Sequence, residues 1–158
     1  MIEYIEKSVI DVGMGIVAHG VNCQGKMGSG VAKAIREKWP IVYEKYKKQS
    51  TGAAMLGGCQ LVTINPNDSL HVANCYTQIY YGYGGGKYAD ANAVGRSMEA
   101  VGMFADIYNL PVFMPRIGCG LGGLNWDKDV LPIMEYVAEI NDRVTFYVCD
   151  LPRKKDVK

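Results

Sequence analysis

The stretch GVNCQGKMGSGVA at residues 20–32 is the first of two glycine-rich segments that decide the fold, and the second is MPRIGCGLGGLNW at residues 114–126. Each segment follows a short apolar run typical of a β-strand and leads into a pattern typical of a helix. Glycine lets backbone N–H groups approach a ligand closely, and a helix N-terminus favours an anion. Either segment alone also fits a tight turn that uses glycine for a positive φ. Together, with Asn22 and Arg116 beside the glycines, they favour a nucleotide or phosphosugar site.

Composition predicts one globular domain over residues 1–158. A chain of 158 residues can bury a core of its own, and 49% hydrophobic with 21% charged residues excludes intrinsic disorder. The formal net charge of +1 gives no sign of a strong electrostatic grip on nucleic acid or on a membrane. We expect no membrane span, because no apolar run is long enough to cross a bilayer. We also expect no signal peptide, because the pattern of residues 2–7 already predicts a segment of the folded domain.

The cysteines and histidines indicate a reducing compartment and no metal site. The five cysteines are odd in number, and no two form a Cys-x-x-Cys pair. This pattern is typical of free thiols, so we expect a cytoplasmic protein. The two histidines, His19 and His71, flank no cluster of cysteines or carboxylates. We therefore expect neither a metal nor a cofactor, and we expect a monomer.

Hydrophobic periodicity predicts strands alternating with helices. Predicted strands lie at residues 2–6, 16–19, 60–64, 70–76, 111–114 and 144–148, and predicted helices at residues 28–39, 42–50, 92–108 and 131–140. The third and fourth strands read as a hairpin, which predicts an α/β fold: a three-layer α/β/α domain with a mixed central sheet. Ligands of such sheets bind at the carboxyl ends of the strands, where both glycine-rich segments should lie. The Tyr/Gly-rich segment at residues 80–88 should be a functional or mobile loop.

The glycine patterns match neither the P-loop nor the Rossmann fingerprint, which disfavours kinases, GTPases and dehydrogenases. HGVNCQG at residues 19–25, MGSGVA at residues 27–32, and PRIGCGL at residues 115–121 with Trp126 instead resemble the macro domain, a module that binds ADP-ribose. The resemblance covers nearly the whole chain. It is strongest to the branch that holds the terminal ADP-ribose protein glycohydrolase, the antitoxin that reverses DNA ADP-ribosylation, and the yeast ADP-ribose-1″-phosphate phosphatase.

The resemblance implies a ligand site built mostly from the two glycine-rich segments. Asn22 matches the asparagine that hydrogen-bonds the distal ribose, and by itself it also fits a turn residue that caps its own loop. The other implied contacts are Gly28, Ser29, Gly30 and Val31 at the distal ribose and phosphates, and Arg116, Ile117, Gly118, Cys119, Gly120, Leu121 and Gly122 around the diphosphate. Ser8 and Val9 fall where the family has an aspartate and an apolar residue beside the adenine, and Cys149 falls where the adenine is covered. The aspartate is missing here, so no carboxylate is expected at the adenine amino group.

The candidate catalytic residues are His19, Asn22 and Gln78. His19 matches a histidine of this branch, and it fits either a general acid or phosphate partner, or a satisfied residue of the core. The glycohydrolases of the branch attack the anomeric carbon with a lysine that follows the threonine ending the fourth strand. Here Thr77 is followed by Gln78, which cannot form a Schiff base.

The aspartate that the same branch can carry after the leucine of the second segment is also absent, because Leu121 is followed by Gly122. Lys87 or Asp90 could replace the missing pair, although both also fit ordinary loop residues. The segment Tyr76-Thr77-Gln78 is closer to the phosphatase side of the branch.

The leading hypothesis is therefore a phosphatase that hydrolyses ADP-ribose-1″-phosphate to ADP-ribose and phosphate. Water would attack phosphorus, while Asn22, His19 and the loop amides position the phosphate. One alternative is a mono-ADP-ribosyl hydrolase that removes ADP-ribose from protein or nucleic acid by means of water. Another is a module that binds ADP-ribose and catalyses nothing. The expected partners are accordingly ADP-ribose, ADP-ribose-1″-phosphate or ADP-ribosylated macromolecules.

Overall fold

The computed structural model describes residues 1–49, 52–82 and 86–152. The strands and α-helices in these ranges are β1 (Ile2–Glu6), β2 (Gly15–Asn22), α1 (Gly30–Lys38), α2 (Pro40–Lys48), β3 (Cys59–Asn65), β4 (Leu70–Gln78), α3 (Ala91–Tyr108), β5 (Val112–Met114), α4 (Leu131–Ile140) and β6 (Phe146–Asp150). A π-helical turn at Trp126–Val130 leads directly into α4.

The six strands form one sheet in the order β1-β6-β5-β2-β4-β3. All neighbours pair in parallel except β3 and β4, which form an antiparallel hairpin. The hairpin closes at Ser69, whose φ is 50°. The mixed sheet predicted from the sequence is therefore confirmed, and its two central strands are β5 and β2.

Side chains alternate across the sheet and build two cores, one on each face. In β2, Ile16 and Ala18 pack towards α3 and α4, whereas Val17 and Val21 pack towards α1 and α2. The helices contribute regularly spaced apolar residues such as Met98 of α3 to these cores. Helices thus cover both faces of the sheet, which confirms the three-layer α/β/α architecture.

Some element boundaries differ from the sequence prediction for clear physical reasons. Strand β2 continues past His19 to Asn22, because Gly20 lets β4 pass closely: a Cβ there would lie 2.7 Å from the Thr77 hydroxyl. Helix α2 begins at Pro40 rather than at Val42, since proline at the first helical position loses no hydrogen bond.

The carboxyl ends of β1, β6, β5, β2 and β4 all meet at one edge of the sheet. Both glycine-rich segments leave the sheet at this edge, after β2 and after β5, as predicted. Across residues 1–49, 52–82 and 86–152, no helix combines the length and the apolar character needed to cross a membrane. The same residues contain no cluster of three histidines, cysteines or carboxylates suited to a metal ion.

Candidate functional site

A cleft of about 570 Å³ opens at the carboxyl edge of the sheet, between the two glycine-rich segments. Its walls are the two glycine-rich segments and the end of β4 with the loop that follows it, where Thr77, Gln78, Tyr81 and Gly82 line the cleft. Twelve of the predicted site residues line it: Asn22, Gly28, Ser29, Gly30, Val31, Gln78, Arg116, Ile117, Gly118, Gly120, Leu121 and Gly122. Five others do not line it: Ser8, Val9, His19, Cys119 and Cys149.

The glycines of the two segments turn backbone towards the cleft. A Cβ added at Gly28 or at Gly120 would meet nothing within 4 Å, so the space in front of both residues is open. Gly30 starts α1 with a φ of +60°, and Ser29 makes no side-chain cap there among the described residues. The first N–H groups of α1 are therefore free to bind an anion in the cleft.

Asn22 is both a turn residue and a wall of the cleft. Its Oδ1 accepts the N–H groups of Gln24 at 2.9 Å and Lys26 at 3.3 Å, and its Nδ2 donates to the Lys26 carbonyl at 2.9 Å. The side chain is 7% exposed. Asn22 is therefore the turn residue that one alternative describes, and it also lines the cleft, while its contact with a ribose stays a prediction.

Gln78 ends β4 beside Asn22, its register partner on β2. Its carboxamide lines the cleft and donates from Nε2 to the Tyr80 carbonyl at 2.7 Å. The next aromatic residue, Tyr81, is 48% exposed and also lines the cleft. A glutamine amide at this place can bind and orient a polar group, but it supplies no nucleophile.

His19 lies in the core rather than in the cleft. It is fully buried, and its Nε2 lies 2.5 Å from Asn74 Oδ1. Burial lowers the pKa of His19 to about 4, so the imidazole is neutral near pH 7. His19 therefore fits the core alternative drawn from the sequence, because residues of β2 line the cleft only from Gly20 onward.

Arg116 lines the cleft, but its guanidinium is already paired. Nε and Nη2 donate to the two Asp150 carboxylate oxygens at 2.9 and 3.2 Å, and the guanidinium lies over the rings of Tyr4 and Trp126, 5.4 and 5.6 Å from their centres. The Arg116 guanidinium lowers the pKa of the Asp150 carboxyl. The charge of Arg116 is thus offset by Asp150, which leaves the backbone of Arg116 as the part available to a ligand in the cleft.

Two other cations of the cleft were missed by sequence reasoning. Lys26 and Arg36 both line it, and neither forms an ion pair with a described carboxylate. The Arg36 guanidinium lies 3.9 Å from the centre of the Tyr43 ring, which also lines the cleft. Arg36 follows Ala32 by four positions on α1, so helical spacing was the signal that could have found it. No carboxylate and no histidine is among the described residues that line the cleft.

The residues expected beside the adenine lie near the ends of β1 and β6. Val9 and Cys149 are buried, and burial raises the pKa of the Cys149 thiol. Ser8 precedes the 3₁₀ turn that follows β1. Their role in base binding stays a prediction.

Lys87 and Asp90, the candidates to replace the missing lysine and aspartate, are not among the residues that line the cleft. Asp90 caps α3 by accepting the Ala93 N–H at 2.9 Å, and Lys87 is not part of the cleft wall. Residues 83–85, in the middle of the Tyr/Gly-rich loop, lie outside the described residues.

Comparison with protein families and curated sequences gives consistent matches. The family model described as the macro domain matches residues 18–134. An uncharacterized 17.5 kDa protein of enterobacteria phage T4 is 29% identical over 113 residues, which is 70% of this chain and 72% of that protein. A DNA ADP-ribosyl glycohydrolase of Mycobacterium tuberculosis is 25% identical over 130 residues, 80% of this chain but only 36% of that protein.

Solved structures agree over nearly the whole chain. A protein of unknown function from Bacteroides thetaiotaomicron has a TM-score of 0.78 and 29% identity, covering 96% of this chain and 98% of the other. The macrodomain of Mycobacterium tuberculosis DarG has a TM-score of 0.76 and 21% identity, covering 95% and 99%. A Trypanosoma brucei macrodomain in complex with ADP-ribose has a TM-score of 0.69 and 14% identity, covering 94% and 63%. With the family model matching most of its length, the chain belongs to the macro domain family.

Proposed function

We propose that the cleft binds ADP-ribose and hydrolyses the phosphate from ADP-ribose-1″-phosphate. The main support for this function is the positive charge of the cleft wall. Lys26 and Arg36 face it without carboxylate partners among the described residues, and no described carboxylate or histidine lines it. A ligand with several phosphates suits such a wall, because fixed cations and backbone N–H groups compensate its charge.

The order of the strand ends supports an extended ligand. Gln78 ends β4, Asn22 ends β2, and the second glycine-rich segment follows β5. With strands about 4.8 Å apart, these three ends span about 10 Å, enough for a ribose and a diphosphate. A ligand that continues past β6 to β1 would extend about 10 Å further, which would bring its adenine base to Ser8 and Cys149.

The reaction needs only water as the second reactant. A water oxygen attacks phosphorus, the bond between phosphorus and the oxygen on C1″ breaks, and that oxygen takes a proton. The products are ADP-ribose and inorganic phosphate. The loop amides, Asn22 and the two cations would hold the phosphoryl oxygens and stabilise the charge that develops on them.

A second candidate is an ADP-ribosyl hydrolase. The mycobacterial relative named a DNA ADP-ribosyl glycohydrolase favours it. In this chain, Gln78 stands where the resemblance places the attacking lysine, so water would have to attack C1″ directly. A third candidate, a binding module without catalysis, is consistent with a cleft that contains no described general base.

One panel of assays separates these candidates. Purified protein is incubated with ADP-ribose-1″-phosphate, with ADP-ribosylated DNA and with ADP-ribosylated protein, and released phosphate and ADP-ribose are measured. We expect phosphate release from the first substrate. Release of ADP-ribose from a macromolecule alone would support the hydrolase instead. Binding of ADP-ribose without turnover of any substrate would support the binding module.

The atom that water attacks can be read directly. In water enriched in oxygen-18, attack at phosphorus places the label in the released phosphate. Attack at C1″ leaves the phosphate unlabelled and would show that the protein uses glycohydrolase chemistry even on the phosphorylated sugar. We expect labelled phosphate.

A further inference from the structure

A buried tyrosine hydroxyl holds the residue that connects the first glycine-rich segment to the sheet. Tyr46, in the last turn of α2, is 1% exposed and does not line the cleft. Its hydroxyl lies 2.5 Å from the Asn22 carbonyl oxygen and 2.9 Å from Asn22 Oδ1, and it accepts the Gly25 N–H at 3.1 Å. One hydroxyl therefore joins α2 to both the end of β2 and the turn that follows.

The hydrogen bonds define which way the Asn22 carboxamide faces. Its Oδ1 accepts two backbone N–H groups and lies beside the Tyr46 hydroxyl, while Nδ2 donates one hydrogen to the Lys26 carbonyl. A flipped amide would place its NH₂ group against two N–H donors, which excludes that orientation. The second Nδ2 hydrogen has no acceptor among the described residues, and Asn22 lines the cleft.

We propose that Tyr46 is a positioning residue: it holds the Asn22 carboxamide so that the second Nδ2 hydrogen is presented to the ligand. Tyr46 itself cannot touch a ligand, because its side chain is buried behind the turn. Its effect on ADP-ribose rests on the proposed function, whereas its effect on Asn22 does not. Without the hydroxyl, the Asn22 carbonyl and the Gly25 N–H lose their shared partner, and the turn is free to shift.

The chain offers a matched control in Tyr76. Its ring centre lies 5.9 Å from that of Tyr46, and it is 2% exposed. Its buried hydroxyl has no hydrogen-bond partner among the described residues. Tyr46→Phe and Tyr76→Phe therefore remove the same atom from neighbouring buried rings, but only the first removes a contact with Asn22.

The test measures ADP-ribose affinity by calorimetry in five proteins: the parent, Tyr46→Phe, Tyr76→Phe, Asn22→Ala, and the double variant Asn22→Ala with Tyr46→Phe. We expect Tyr46→Phe to weaken binding about tenfold and Tyr76→Phe to change it less than about twofold, since only the first loses a hydrogen bond. In the Asn22→Ala background, Tyr46→Phe should add less than about twofold, because its effect passes through Asn22. Equal affinities of the parent and Tyr46→Phe, or a full additional loss in the Asn22→Ala background, would overturn the proposal.

A second measurement needs neither the variant nor the ligand. In the free parent protein, nitrogen-15 relaxation of the Asn22 side-chain NH₂ group should show a carboxamide as restricted in its motion as the backbone around it. Free rotation of the side chain on the nanosecond timescale would overturn the proposal even if Tyr46→Phe failed to fold. If the parent bound no ADP-ribose, the proposed function would be wrong, and this relaxation measurement would still decide whether Asn22 is held.

Discussion

Gly120 is the position where a single substitution should close the cleft without disturbing the fold. The residue lines the cleft, and a Cβ added there would meet nothing within 4 Å. Its φ lies outside the left-handed region, so a larger residue is not strained by the backbone. We therefore expect Gly120→Glu to fold and to place its carboxylate where the diphosphate would lie.

The size of the effect follows from the charges brought together. Two like charges 4 Å apart repel by about 1 kcal/mol in bulk water and by about 4 kcal/mol at an effective dielectric constant of about 20. A diphosphate carries two such charges, and the added side chain also occupies ligand volume. Two charges double the range to about 2 to 8 kcal/mol. Because the cleft is open to solvent, we take the lower part of this doubled range, about 3 kcal/mol, which weakens binding by more than about a hundredfold.

Calorimetric titration with ADP-ribose measures this loss, and two variants separate its causes. Gly120→Gln adds the same volume without the charge, so it should bind more tightly than Gly120→Glu. Gly13→Glu adds the same charge at an exposed glycine outside the cleft, where a Cβ also meets nothing within 4 Å, and should bind as the parent does. A folded Gly120→Glu protein that binds ADP-ribose within a few-fold of the parent would show that Gly120 does not face the diphosphate.

Four further substitutions test other parts of the protein. Asn22→Ala should weaken ADP-ribose binding in calorimetry and slow phosphate release about a hundredfold, because a preorganised hydrogen-bond donor is lost. An unchanged rate of phosphate release would show that Asn22 does not take part in the reaction. Burial lowers the pKa of His19 to about 4, against about 6.5 in the unfolded chain. Because the unfolded state then binds a proton more tightly, the free energy of unfolding should fall as the pH drops from about 6.5 to about 4. Urea unfolding across this window should show a loss of up to about 3 kcal/mol that His19→Gln abolishes, and an equal slope in both proteins would contradict the assignment. Gln78→Lys should form a borohydride-trappable adduct with ADP-ribose but gain little turnover, because an ordinary lysine is protonated near pH 7. Robust trapping by the parent protein would instead show that another lysine attacks the ligand. Adding Gly122→Asp should lower the melting temperature, since a Cβ there would lie 2.6 Å from the Gly118 carbonyl oxygen.

The fold and the walls of the cleft could be predicted because they depend on local patterns. Alternation and helical spacing indicate strands and helices directly, and glycine-rich turns at strand ends mark the ligand edge. The residues of these turns reach the cleft through the backbone, so their placement needs no knowledge of distant side chains. Gly28 and Gly120 are examples, since both face open space.

The residues that were misplaced or missed depend on contacts between distant segments. Asp150 lies 34 positions from Arg116, and only the pairing of β5 with β6 brings them together. His19 is held by Asn74 on the neighbouring strand, 55 positions away. Tyr46 reaches Asn22 only because α2 packs against the sheet. Sequence spacing carries no signal for such pairs.

Binding of ADP-ribose by the cleft is tested by a calorimetric titration of the parent protein with ADP-ribose. We expect saturable binding of one ligand per chain with low-micromolar affinity or weaker, and a rise in melting temperature with ligand concentration, because only the folded state binds. A folded protein that shows neither heat of binding nor a thermal shift at millimolar ADP-ribose would contradict this expectation.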